Sequence, residues 1–517
     1  MKNLKSHLLK HGSLLLVCSI VLAVSCTSDY DEINTDKNKL ATIGPAELPF
    51  MFSKAQSMAT NNVWNYQVAQ NLFADQYAQY FACTATYFPS DRLTIRMDWV
   101  GAAFNPMYTE VMPQLQTIFE KSDPASAEYA LANIWWVYTF HRVTDYWGPI
   151  PYFSAGKTDL EGPGVPYDAQ DAIYNDFFVR LDAAIAVLKG KTTEKPFADY
   201  DIIYGGDPNK WIKFANTLKL RLALRISAVD KSRAQGIAES AVASGVMLAS
   251  PGDDALVLRS NNGSDWNGLA IMDWNEFRMS AAMESVLKGY ADPRMPIYFR
   301  PAKDGGYNGL RNGLTVDQLG KPLSSNDANS NKGERWSATT GLTTPSNVMC
   351  TAEAYFLRAE GALLGWNMGG TAKELYEKGI THSMKQWGIA DADIATYVSS
   401  TNVPVAPGDL LNSPPMTDIT VKWDPADGLE QIATQKWLAL YPEGIEAWAD
   451  YRRSHVLKLY PVANSDNPDI TNTSTQWIRR IPFLLSEFQT NETETKKAED
   501  LLNGPDKVTT PLWWDKN

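Results

Sequence analysis

Apolar residues recur at helical spacing through most of this chain, most densely between residues 351 and 387. Ala352, Tyr355, Phe356, Ala359, Leu363 and Trp366 line one face of a helix. Gly365, Asn367, Gly369 and Gly370 end it, because glycine and asparagine accept the left-handed conformations of helix C-caps. Thr371 and Glu374 stand at capping-box spacing and open a second helix. Its face is Ala372, Leu375, Tyr376, Gly379, Ile380, Ser383, Met384 and Trp387. The small residues Ala359, Gly379 and Ser383 allow the two helices to approach closely. The pair is about one tetratricopeptide-like unit long, ~34 residues. A unit of that kind buries its apolar face only against stacked neighbours.

Such neighbours are legible. Residues 46–60 and 63–82 read as helices, and helix resumes beyond Trp99 to about Glu120. Residues 126–143 are apolar almost all round, which predicts a buried helix. Gly148, Pro149 and Pro151 forbid its continuation. A helix from Asp168 carries Ile173, Phe177, Leu181, Ala184, Ile185 and Leu188 on one side. Residues 209–228, with Trp211, Ala215, Leu218, Leu222 and Ile226 on one face, pair with 231–244. Residues 435–444 and 446–453 form another pair.

Between residues 250 and 346 the helical period fades, except over 276–289. Asn, Gly and Ser accumulate there, with Trp266, Trp274, Tyr307 and Trp336 among them. A stretch this long without regular structure is functional or disordered, and the aromatic residues argue against disorder. The pattern predicts a mainly α chain: a tetratricopeptide-like helical-repeat superhelix with a loop-rich insertion. The scaffold is 46–249 and 347–460, the insertion 250–346. Residues 461–517, including the polar run 491–497, read as an irregular segment packed on the scaffold.

The N-terminus adds a compartment. Lys2, Lys5 and Lys10 precede an apolar run over residues 14–24, too short for a membrane span and suited to a secretory signal at 1–25. Leu22-Ala23-Val24-Ser25-Cys26 looks like a lipoprotein lipobox, with Leu one place early, and makes Cys26 the lipidation site. Residues 26–45 then form a tether. The acidic run Asp29, Asp31 and Glu32 resembles a surface-export signal. The formal net charge is −12 and grows three units more negative once the signal and its lysines are removed. So acidic a chain is a poor match to nucleic acid, whose phosphates need Lys and Arg. Of the four cysteines, Cys83 and Cys350 remain in the mature body, and two buried free thiols are expected.

Several segments resemble the SusD/RagB-like lipoproteins of outer-membrane nutrient uptake. They are YDEINTDKN after the anchor, DYWGPIPY, AEAYFLRAE with the following GW, QKWLALYPEGIEAWADYRR, and RRIP with the trailing SEFQTN. They stand in family order over nearly the whole mature chain. Phe483-Leu484-Leu485 departs from the proline-containing turn common there. The resemblance implies a right-handed superhelix of helical pairs, with a binding subdomain built mostly from the insertion. It implies a non-enzymatic surface lipoprotein, anchored in the outer membrane, that captures an oligosaccharide. It also implies a partner, a TonB-dependent SusC-like barrel transporter on which the lipoprotein sits as a lid.

Catalytic chemistry leaves little trace. His141, His382 and His455 show no metal-ligand spacing, and there is no nucleophile elbow, P-loop or dinucleotide fingerprint. No cofactor or metal is expected. Glu446 and Asp450, at helical spacing, read as surface charge, and residues 326–334 as a polar loop. A sugar site needs flat rings for C–H faces and polar groups for hydroxyls. The candidates are Tyr87, Phe88, Arg92 and Trp99 in the early loop, and Trp266, Trp274, Tyr307 and Trp336 in the insertion. Peptide capture on the same architecture, a glycoside hydrolase and a purely structural adaptor are the other readings.

Overall fold

The computed structural model describes residues 43–60, 63–263 and 265–516. The signal, the lipobox with Cys26 and most of the tether lie outside the described residues. Met1–Leu48 and Pro49–Asn517 cluster as separate units, and the second carries the fold.

Nine helices carry the frame: α1 (Leu48–Met58), α2 (Ala127–Trp147), α3 (Gln170–Lys189), α4 (Pro208–Arg225), α5 (Lys231–Ser244), α6 (Thr351–Leu363), α7 (Ala372–Gln386), α8 (Gly428–Leu440) and α9 (Gly444–Ser454). Each of α2 to α5 packs on the next, α4 and α5 pack on α6, α6 packs on α7 and α8, and α9 returns to α2. This is the expected mainly helical, tetratricopeptide-like architecture.

Local sequence explains the boundaries. Ser126 caps α2 by accepting from Tyr129 N at 3.1 Å, and Gly148 ends it at φ +86° before the prolines. Thr371 and Glu374 form the capping box of α7 in both directions. A Cβ on Gly379 would stand 2.6 Å from the Phe356 ring, so glycine sets the approach of α7 to α6.

Two expectations change. The helix read over 63–82 runs Val63–Tyr66, continues as a π-helix Gln67–Asp75, and gives way to strand β1 (Phe81–Cys83). The aromatic run satisfied helix and strand patterns alike. Of residues 491–497, expected to be irregular, all but the capping Asn491 lie in a helix Glu492–Glu499 that follows another at Leu485–Thr490. Glu492 and Glu494 sit in its first turn and Lys496 and Lys497 in its last, which suits the helix dipole.

Glu446 and Asp450 are not surface charges. Arg225 binds Glu446 at 2.6 Å and approaches Asp145 at 3.3 Å, while Lys436 binds Asp450 at 2.9 Å. Arg221 grips Glu353 through two hydrogen bonds of 2.7 and 2.6 Å, and Arg453 grips Glu360 likewise at 2.7 Å. All of these side chains are buried. Each acid faces cations from a neighbouring helix, a proximity sequence spacing does not show. Cys83 and Cys350 are buried free thiols.

Between residues 250 and 346 the chain is pinned by two small sheets. Strand β2 (Ala255–Val257) pairs antiparallel with β4 (Ser346–Met349), joining the two ends of the stretch. Strand β3 (Phe277–Met279) pairs antiparallel with β1. The C-terminal segment lies on α2: Ile481 N donates to Tyr146 O at 2.8 Å, and Trp514 Nε1 to Asp145 Oδ1 at 2.8 Å.

Candidate functional site

The β1–β3 pairing brings the two groups of candidate residues together. Its register sets Phe81 opposite Met279 and Cys83 opposite Phe277. Thr84 N extends the ladder to Glu276 O at 2.8 Å. The early loop that follows Thr84 therefore runs beside the corner that precedes Phe277.

Tyr87 stands out from this junction, 63% exposed. Its hydroxyl donates to Oε1 of Glu276, whose Oε2 accepts from Gln67 Nε2 at 2.6 Å. The Glu276 carboxylate holds the Tyr87 hydroxyl proton and pushes its pKa up to about 12. Trp274, 46% exposed, closes the 3-10 turn Gly268–Trp274. Asn275 turns the chain beyond it in the left-handed region, at φ +65°.

Amides and a cation shape the floor. Asn326 accepts from Thr84 Oγ1 at 2.7 Å and donates to Asn275 O at 2.7 Å. Buried Arg278 donates to Asn326 O, Phe277 O and Asn275 Oδ1 at 3.1, 2.7 and 2.8 Å. Neutral acceptors take its hydrogen bonds, and burial, with Arg300 nearby, lowers its pKa to about 10. Beneath the loop, buried Asp91 accepts from Cys83 N, Gly313 N and Asn312 Nδ2 at 3.2, 3.0 and 2.7 Å. It ties the early loop to the later one, and burial raises its pKa to about 6.

The other candidates divide. Phe88 and Arg92 are enclosed rather than presented. Phe88 stacks on Phe277 at 5.8 Å, meets Trp99 edge-on at 5.6 Å and lies 4.7 Å from Tyr87, which it supports from within. Arg92 is taken by Asp466 at 2.5 Å. Trp99 is half-buried, with the Arg96 guanidinium 4.1 Å from its ring centre. Tyr307 is half-buried in the loop before Asn308, which donates to Ala328 O at 3.0 Å. Trp266 is half-buried at the far end of the Gly268–Trp274 turn. Trp336 is 2% exposed, edge-on to Trp387 and Tyr441 at 5.8 Å. Loop composition could not separate such an anchor from a presented ring. Sequence spacing does not single out Glu276, Asn275, Asn326 or Arg278, because the strand pairing alone brings them to this corner.

The corner around Glu276 thus carries two exposed rings, Tyr87 and Trp274, with a carboxylate and oriented amides. Rings of this kind offer apolar contact, and the polar groups fix orientation. Among the described residues no group of His, Cys, Asp and Glu could hold a metal ion, and no helix is long and apolar enough to cross a membrane.

None of the curated proteins matches the chain. Among solved structures, a chitin-binding SusD homolog from Flavobacterium johnsoniae is 36% identical, with a TM-score of 0.82 over 91% of this chain and 98% of that one. A SusD-like protein from Bacteroides thetaiotaomicron is 34% identical, with a TM-score of 0.80 over 91% and 99%. A SusD homolog from Bacteroides ovatus is 30% identical, with a TM-score of 0.82 over 92% and 100%. The family model described as SusD-like, SusD and RagB outer membrane lipoprotein, matches residues 28–515. The chain belongs to this SusD-like family and is an outer-membrane lipoprotein.

Proposed function

We propose that the protein captures oligosaccharides at the cell surface on the Tyr87–Trp274 ledge and passes them to a TonB-dependent barrel transporter. The observation that carries this reading is the convergence of two exposed rings, from loops far apart in sequence, on one hydrogen-bonded corner. Burying ~50 Å² of sugar surface on one ring gains about 1.3 kcal/mol at ~25 cal/mol/Å². Two rings alone give an affinity weaker than millimolar, before the amides and Glu276 add hydrogen bonds. Weak capture suits a protein that must release its ligand onward. Binding without turnover is the expected activity. The chitin-binding relative makes chito-oligosaccharides the first ligands to try.

The test is calorimetry on the full chain in lipid nanodiscs with chito-, malto- and xylo-oligosaccharides. Saturable binding at a site lost in Tyr87→Ala/Trp274→Ala supports the reading. Binding of peptides alone overturns it in favour of peptide capture, and turnover of the sugar overturns it in favour of a glycosidase.

A further inference from the structure

A cleft elsewhere in the fold shares no residue with the ledge. Its volume is about 390 Å³, within the range of small-ligand sites. Its lining includes Phe104, Asn105, Tyr108 and Met112 together with Val165 and Glu487. Phe104 and Tyr108 stack at 4.5 Å with 30° between their planes. Tyr108 is half-buried and Asn105 exposed.

The walls are tied and the interior is left unused. Asn491 clasps Val165 twice, accepting from its N at 3.0 Å and donating to its O at 2.8 Å. A Cβ on Gly164 would fall 2.0 Å from the Asn491 oxygen, so the clasp requires glycine there. Tyr108 OH donates to Pro151 O at 2.8 Å, and Gln116 Nε2 to Ala155 O at 3.0 Å. Glu487 accepts on Oε2 from Tyr167 OH at 2.9 Å. Among the described residues its Oε1 has no hydrogen-bond partner, no cation pairs with it, and the Asn105 amide is also unbonded. A pre-shaped apolar cleft with unspent polar groups at its edge is organised for a ligand rather than for packing.

We propose that this cleft is a second carbohydrate site, which takes a short neutral saccharide independently of the ledge. The Tyr108 ring offers a platform for a sugar face. Asn105 and Glu487 offer an amide and an acceptor to hydroxyls. The carboxylate, lacking a cation, disfavours acidic sugars. The proposal rests on the glycan reading and extends it, giving one long glycan or two short ones a second point of attachment.

The experiment is calorimetry of the full chain in nanodiscs with the same neutral oligosaccharides. The wild type is expected to show two sites, and Tyr87→Ala/Trp274→Ala to keep the second. Adding Thr109→Trp, an exposed position on the cleft wall, is expected to remove that residual binding. Glu487→Gln and Asn105→Ala, checked for unchanged melting temperature, are each expected to weaken it by about threefold to tenfold. Residual binding that survives Thr109→Trp and both milder variants overturns the proposal. So does a wild type with one site that the ledge substitutions abolish, while the capture function stands. A wild type that binds no oligosaccharide overturns both. A cleft blocked to sugar but protected on addition of the transporter marks it as a protein interface and overturns the saccharide assignment.

Discussion

The hydroxyl of Tyr87 donates a hydrogen bond to Oε1 of Glu276, joining two loops that lie 189 residues apart in the chain. The ring therefore reaches solvent already oriented, and less freedom is lost when a sugar stacks on it. Tyr87→Phe keeps the ring and frees it, and should weaken oligosaccharide binding about threefold. Tyr87→Ala removes both and should cost about tenfold, or about 1.4 kcal/mol. Calorimetry on the two variants distinguishes the contributions, and wild-type affinity in Tyr87→Phe would show that the tether is inert.

Trp274 and Trp336 come from the same stretch of sequence and should behave oppositely. Trp274 is 46% exposed, so Trp274→Ala should lower affinity and leave the melting temperature near its wild-type value. Trp336 is 2% exposed, so Trp336→Ala should cost about 3–5 kcal/mol of stability through the cavity it leaves. Thermal melts beside ligand titrations separate the two effects.

Arg221 and Glu353 bind each other across α4 and α6 with both side chains almost wholly buried. Arg221→Met leaves the Glu353 carboxylate without its main partner and should destabilise by about 3–5 kcal/mol. Arg221→Met/Glu353→Leu removes the stranded charge and should recover most of that loss. Urea denaturation of the single and double variants measures it; a double variant no better than the single one would show that the wider network depends on Arg221 itself.

Burial pushes the Asp75 carboxyl up to about 7, even though Tyr66 and Gln70 donate to it at 2.7 and 3.1 Å. The folded state thus keeps this proton to a higher pH than the unfolded chain. The contribution to stability is full below about pH 4, falls as pH rises, and is lost above about pH 7. A shift of this size corresponds to about 4 kcal/mol at most. Subtracting the pH profile of Asp75→Asn from that of the wild type should show the decline between pH 4 and 7, and a flat difference would place the titration elsewhere.

Helical pairing was readable because periodicity, caps and small residues agree locally, as in the Thr371–Glu374 box and the Gly379–Phe356 approach. The ends of elements were less so: the run from Tyr77 to Cys83 suits a helix face and a strand alike, and only its pairing with Phe277–Met279 decides. The candidate site was half-legible. Aromatic residues in polar loops drew attention to Tyr87 and Trp274, but also to Phe88 and Trp336, which support the structure from within. The buried setting of Glu446 and Asp450 depends on cations from other helices, beyond any local pattern.

The most direct test of the ledge is a titration of the full chain in nanodiscs with neutral oligosaccharides, wild type beside Tyr87→Ala/Trp274→Ala. The ledge assignment predicts saturable binding by the wild type and loss of one site in the double variant, with melting unchanged. Equal binding by both proteins, or none by the wild type, would contradict it.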